Sequence, residues 1–347
     1  MLKKSEPLLS NLHLESLCQL DNLSLYTAAL NQSMAVRLSS SGALSYIEQE
    51  VDVEEFTCRT QLIPAFPRGS WGLDRIDQRQ LPTDGNFTIN GTGFGVDVYV
   101  LDSGIDTKHS YFGGRAQWGT NTVDDQDVDL TGHGTLVSGV IGSSKYGVAK
   151  QARLISVKVI KGSSRGTSTS VVRGLSWIHN NVRKTSRRSV INISLGIPGS
   201  NKVLNSMVQH LVRAGIVVVA AAGNSAKDAC EFSPGQLKEV ITVGASSPED
   251  KMWGPSNYGA CVDIYAPGQA ITTVWPGNRA ALGHGTSIAA PHVTGVVAAR
   301  MMQEPDSPHL IKQWLLKSST HDALTFTGKG KYKTPNRLLY AGEGCNE

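Results

Sequence analysis

The stretch that most constrains this chain is GHGTSIAAPHVTGVVAARMM, residues 283–302. Gly283 and Gly285 permit a tight turn free of Cβ clashes. From Ser287 the residues are mainly Ala, Val, Gly and Ile, with no charged side chain before Arg300. A helix that is apolar on most of its faces belongs inside a sizeable core. Pro291 lacks an N–H and is tolerated in a first helical turn, so the spacing predicts Ser287 at the helix N-terminus. There the unpaired backbone N–H groups and the helix dipole favour negative charge. A serine in that place either caps the helix or carries a developing oxyanion.

A core of that kind fits the length. The 347 residues suffice for one large domain and a small one, and 40% hydrophobic content with 36 glycines suggests an α/β core with many tight turns. The formal net charge of +4 is spread along the chain, with no Lys/Arg block interleaved with aromatics, so no nucleic-acid partner is expected. The apolar run IVVVAAAG (216–223) is too short to span a bilayer, so no membrane partner is expected either. The N-terminal residues lack a continuous apolar stretch, and no signal peptide is visible. The five cysteines (18, 58, 230, 261, 345) do not form metal-ligand spacings.

Residues 1–57 are leucine-rich and glycine-poor, and end in the acidic run EQEVDVEEF. SSSGALSYIEQE (39–50) reads as a short helix and the VDVEEF that follows as a strand. So few elements bury little surface alone, so the segment is expected to pack on the main body. Residues 58–70 hold two prolines and two arginines and read as an exposed linker open to cleavage. From residue 71 to the end, strand and helix signals alternate. Strands are expected at 95–104, 152–160, 189–196 and 216–224, with shorter ones in EVITVGAS, VDIYAPG and AITTVW. Helices are expected at 131–143, 168–184, 201–215, 287–302 and 308–319. That alternation means a doubly wound, mostly parallel sheet with helices on both faces. GTGFG (91–95) imitates a dinucleotide loop but precedes a strand instead of following one.

Asp102, His133, Asn224 and Ser287 fall at predicted strand ends or helix starts, where open α/β sheets build their sites. Acyl transfer needs a nucleophile, a base, an orienter for the base and a donor for the oxyanion; these are the four residue types. Singly, each has a plain structural reading as a turn or cap residue. His284, in the second GHGT, is expected to be a loop residue and not the base. A lipase-type hydrolase would need a G-x-S-x-G elbow and the order Ser, Asp, His; the order here is Asp, His, Ser.

VLDSGID, GHGT, SLG, AAGN and GTSIAAPH, in that order, resemble the subtilisin-like serine proteases. WGLDRID (71–77), YGVAK (146–150) and SNYGACVDIYAPG (256–268) are similar to the proteinase K-like branch. The resemblance implies a seven-stranded parallel sheet over residues 71–347, preceded by a partial pro-segment that acts as an intramolecular inhibitor. It implies a secreted or vacuolar/lysosomal monomer that hydrolyses protein or peptide substrates, with an apolar preference before the scissile bond. Position by position, Asp102, His133 and Ser287 look like the triad and Asn224 like the oxyanion donor. Ser194, Leu195 and Gly196, with Ala221, Ala222 and Gly223, look like pocket walls. Ser164, Arg165 and Gly166 look like the edge strand that pairs with substrate by β-augmentation. The resemblance also implies a Cys230–Cys261 disulfide and, with no organic cofactor, a structural Ca²⁺ at Asp263 and the carbonyls of Lys238 and Val240. Leu136, Ile197, His284 and Ile288 depart from the family pattern without removing a catalytic group; Ile197 and Arg165 bear on specificity. The alternative reading is a catalytically silent, protease-like binding or regulatory module.

Overall fold

The structure, a computed structural model, describes residues 15–20, 23–41, 44–45, 47–50, 52–55, 61–62, 71–162, 165–304, 306–326 and 333–342; for 52–55, 61–62 and 165 it describes the backbone alone. Seven parallel strands form the centre. Their spatial order is Ala116–Asn121, Arg153–Lys158, Asp97–Asp102, Ser189–Ile193, Val217–Ala221, Ile241–Ser246 and Ile264–Pro267. Two-residue strands at Arg337–Leu338 and Thr320–His321 extend the last edge. The chain leaves Asp97–Asp102 toward one side of the sheet and later returns to the other side at Ser189–Ile193. That reversal is the switch point at which a crevice opens beyond the strand ends.

Both faces of the sheet are covered, and the strands show it residue by residue. In Asp97–Asp102, Val98 and Val100 join one apolar cluster while Tyr99 and Leu101 join the other. Successive side chains point to opposite faces, so a strand buried on both sides is apolar throughout. Helices His133–Gly142, Thr286–Gln303 and Pro308–Ser318 contribute to the first cluster; Ser168–Thr185 and Lys202–Arg213 contribute to the second. The helix Lys202–Arg213 ends on Ala214 and on Gly215 at φ 88°.

Two elements differ from expectation. AITTVW is not part of the main sheet: Ile271–Trp275 pairs antiparallel with Arg279–Gly283 in a separate hairpin. The main sheet instead gains Ala116–Asn121, where only Ala116 is buried. An edge strand with one buried residue has no apolar alternation to announce it.

The N-terminal segment also differs. Its helix is Gln32–Ser40, not 39–50, and Asn31 caps it by accepting from the Met34 N–H at 2.9 Å. Before it lies the antiparallel pair Glu15–Leu20 and Leu23–Thr27. Cys18, Leu20 and Leu25 are buried in the cluster that holds Val171, Val172 and Leu175 of helix Ser168–Thr185. The segment thus adds its apolar side to the core of the main body. The linker 58–70 lies outside the described residues except for Gln61–Leu62, which pairs with Ala281 and Leu282.

Candidate active site

Asp102 ends its strand at the switch point and is fully buried. The turn after it must admit the start of another helix. A Cβ on Gly134 would lie 2.1 Å from the Gly104 carbonyl oxygen, so only glycine lets helix His133–Gly142 come this close. The approach places His133 Nδ1 2.8 Å from Asp102 Oδ1, with His133 only 6% exposed. The Ser103 N–H donates to the same Oδ1 at 2.7 Å. A carboxylate on Nδ1 favours the tautomer with the proton there, leaving Nε2 as the basic nitrogen.

Asp129 holds this helix start and was not legible as a site residue. Its Oδ1 accepts from Ser103 Oγ at 2.9 Å and from the Gly132 N–H at 2.8 Å. Its Oδ2 accepts from the Thr135 N–H at 2.8 Å and from Thr135 Oγ1 at 2.6 Å. Ser103 Oγ in turn accepts from the Gly134 N–H at 3.0 Å. One buried carboxylate therefore satisfies unpaired donors on both sides of His133. Burial pushes the Asp129 carboxyl up, and the hydrogen bonds of Thr135 and Ser103 oppose that rise.

Ser287 is the second residue of helix Thr286–Gln303 and is fully buried. Pro291 lies one turn further in than expected, at the sixth position of the helix. A proline there cannot donate to the carbonyl four residues back, which is that of Ser287. Ser194 Oγ supplies the missing donor, at 3.0 Å from Ser287 O. Asn192 Nδ2 donates to Ser194 Oγ at 2.8 Å, and Thr294 Oγ1 donates to Asn192 Oδ1 at 2.8 Å. The helix defect is thus used to dock the serine backbone onto Ser194, between strands Ser189–Ile193 and Leu195–Pro198.

Asn224 follows strand Val217–Ala221 across Gly223, whose φ of 105° makes the bend. Its Oδ1 accepts from the Thr286 N–H at 2.9 Å and Thr286 Oγ1 at 2.8 Å. Thr286 Oγ1 accepts from the Gly223 N–H at 3.0 Å. The carboxamide is therefore fixed with its oxygen on the helix start, and Nδ2 is its other branch. The start of helix His133–Gly142 lies alongside: a Cβ on Gly283 would touch both Leu136 and Ile288 at 2.9 Å.

Ser194, Leu195 and Ala221–Gly223 are buried. The wall 221–223 is held by Asn257, whose Nδ2 donates to Ala222 O and whose N–H donates to Gly223 O, each at 2.8 Å. Arg165 and Gly166 lie in strand Arg165–Thr167, while Ser164 lies outside the described residues. Between Arg165–Thr167 and Leu195–Pro198 runs Asp52–Glu55, antiparallel to both. Glu54 stands opposite Gly196 on one side and Arg165 on the other, and Glu55 opposite Leu195. Ile197 pairs with Ser233 on the far side of the same sheet.

Two acidic residues just before that strand meet helix N-termini, which attract negative charge. Glu48 accepts from the N–H groups of Lys202 and Val203, both at 2.6 Å. Burial pushes the Glu50 carboxyl up, but hydrogen bonds from Thr169 and Thr167, at the start of helix Ser168–Thr185, hold it below its usual range.

His284 is a loop residue whose Nδ1 accepts from the Ala270 N–H at 3.2 Å. His292, inside the Ser287 helix, is pushed down to about 4 by burial and is neutral. Cys230 and Cys261 form a disulfide with Cα atoms 5.2 Å apart. Cys18 is a buried thiol, and Cys58 and Cys345 lie outside the described residues. The oxygens of Asp263, Lys238 and Val240 do converge, but on the Lys312 ammonium. A cationic nitrogen therefore stands where the resemblance places Ca²⁺.

Residues 93–341 match the Subtilase family model, Peptidase_S8. The chain is 40% identical to an extracellular serine proteinase of Thermus sp. (strain Rt41A), over 91% of this chain and 76% of that protein. It is 40% identical to the subtilisin-like serine protease Pen c 1 of Penicillium citrinum, over 93% of this chain and 80% of that one. Among solved structures, a cold adapted subtilisin-like serine proteinase superposes with a TM-score of 0.74 at 39% identity, covering 79% of this chain and 98% of that one.

Proposed function

The chain belongs to the subtilase family and is a serine-type endopeptidase, and on that premise we propose that Asp102, His133, Ser287 and Asn224 carry the reaction. The observation that carries this reading is the buried 2.8 Å contact between Asp102 and His133, set beside a serine whose helix start is pinned by Asn224. Ser287 Oγ attacks the scissile carbonyl while His133 Nε2 takes its proton; Asp102 stabilises the imidazolium. The oxyanion is received by Asn224 Nδ2 and the Ser287 N–H at the helix N-terminus. His133 then returns the proton to the leaving amine, and water releases the acyl group by the reverse sequence. Labelling of Ser287 by a fluorophosphonate probe in enzyme cleaved within 58–70 tests this, because it needs the assembled triad; a cleaved, well-folded enzyme left unlabelled would overturn it.

Asn224→Ala is expected to lower kcat by roughly 10²–10³ with KM little changed, because the interaction forms with the developing charge. Steady-state kinetics on a peptide substrate check this, and a wild-type kcat rules the oxyanion role out. The small side chains at 221–223 support an open pocket with an apolar preference. The motifs at 71–77, 146–150 and 256–268 support the proteinase K-like branch. A relative named extracellular and the disulfide support secretion, since disulfides persist in oxidising compartments.

Residues 1–57 act in this reading as the enzyme's own inhibitor. The support is strand Asp52–Glu55, which takes the slot between Arg165–Thr167 and Leu195–Pro198 where an extended substrate would pair. With this strand seated beside Leu195 and Gly196, cleavage within 58–70 is expected to precede activity. Mass spectrometry of the active enzyme reads the new N-terminus. Full turnover by chain whose residues 1–70 are still covalently attached would refute the inhibitory role.

A further inference from the structure

At the N-terminal end of the sheet, remote from Asp102, three oxygens point at one position. They are the carbonyls of Lys238 and Val240, just before strand Ile241–Ser246, and Oδ2 of Asp263, just before strand Ile264–Pro267. Lys312 Nζ, from helix Pro308–Ser318, sits among them at 2.8, 2.6 and 2.7 Å respectively. An ammonium has three N–H donors and no more, so the set satisfies it completely. The Thr242 N–H donates to the same carboxylate oxygen at 2.9 Å. Both side chains of the pair are largely shielded, at 14% and 19% exposure.

Ca²⁺ takes six to eight oxygens at about 2.3–2.6 Å. Here the position at the centre of the oxygens is taken, and like charge excludes a second cation beside the ammonium. The residues present therefore do not fit the metal that the resemblance implied. Without any cation, two carbonyls and a carboxylate would face one another uncompensated, which is costly in a shielded site.

We infer that Lys312 is a built-in replacement for a structural metal ion, making this part of the fold independent of free calcium. It performs the ion's task of neutralising Asp263 and joining the ends of two adjacent strands. It adds what an ion lacks, a covalent tie to helix Pro308–Ser318, which packs on the same face of the sheet as the Ser287 helix. The enzyme then keeps this junction intact in media rich in phosphate, citrate or other calcium chelators.

The test compares the melting temperatures of the wild-type protein, Lys312→Ala and the double variant K312A/D263N, each in chelator and in excess calcium. K312A is expected to melt roughly 5–10 °C lower in chelator, the size of breaking one shielded charge pair in a domain this large. Calcium is then expected to raise the melting temperature of K312A well beyond any rise in the wild type, because removing the ammonium opens the oxygens to an ion. K312A/D263N should lose that extra rise. Terbium luminescence should count one more bound ion in K312A than in the wild type. If K312A does not fold in chelator, refolding in calcium gives the same reading: recovery supports the inference and failure to recover overturns it. An unchanged melting temperature in K312A, or equal calcium responses in K312A and wild type, also overturns it.

Discussion

Ser287→Ala is expected to abolish turnover, lowering kcat by on the order of 10⁶, the scale seen when a triad nucleophile is removed, while the protein folds as before. The change removes one oxygen from a fully buried side chain. It takes away no helix cap, because the N-cap is Gly285 and makes no side-chain bond. The bond from Ser194 goes to the Ser287 carbonyl, which alanine retains. Equal thermal melts with loss of peptide hydrolysis would therefore isolate the hydroxyl as the chemical group. Retained hydrolysis by purified S287A would remove Ser287 from the mechanism.

Asp102→Asn is expected to lower kcat by about 10⁴, and the geometry gives the reason. Oδ1 serves both His133 Nδ1 and the Ser103 N–H, while Oδ2 is buried with no hydrogen-bond partner among the described residues. An asparagine that keeps its oxygen toward His133 places an NH₂ where no acceptor waits, and buried donors without partners are costly. Flipped, it offers the NH₂ to Nδ1 and selects the wrong tautomer for catalysis. Either way the charge that stabilises the imidazolium is gone. KM should change little, and circular dichroism should confirm the fold. A kcat within tenfold of wild type would mean that Asp102 does not orient the base.

The four proposed catalytic residues were legible because each carries its own local signal. Asp102 ends an apolar run, Asn224 ends another, and His133 and Ser287 each stand where a glycine-flanked turn enters an apolar helix. Asp129, Asn192 and Thr294 gave no such signal. Each also bonds a partner far along the chain, Asp129 with Ser103 and Thr294 with Asn192. The same limit applies to Pro291. Sequence rules place a proline in the first helical turn, and they miss that Ser194 can satisfy the carbonyl a deeper proline strands. Strand Ala116–Asn121 was invisible because an edge strand buries too little to impose a period.

The sequence by itself determined the layering, because strands buried on both faces must be apolar throughout and the intervening helices must cover them. It also determined the chemistry available, because the order and residue types of the four motifs are local facts. Only the tertiary structure decided what a shared motif position contains. Asp263, Lys238 and Val240 are a calcium site only by resemblance, and the oxygens do gather. The cation that meets them is Lys312, 49 residues beyond Asp263. The positions of a ligand set are carried over by resemblance. The occupant is not, because any long cationic side chain that the fold brings within hydrogen-bond reach can fill the place.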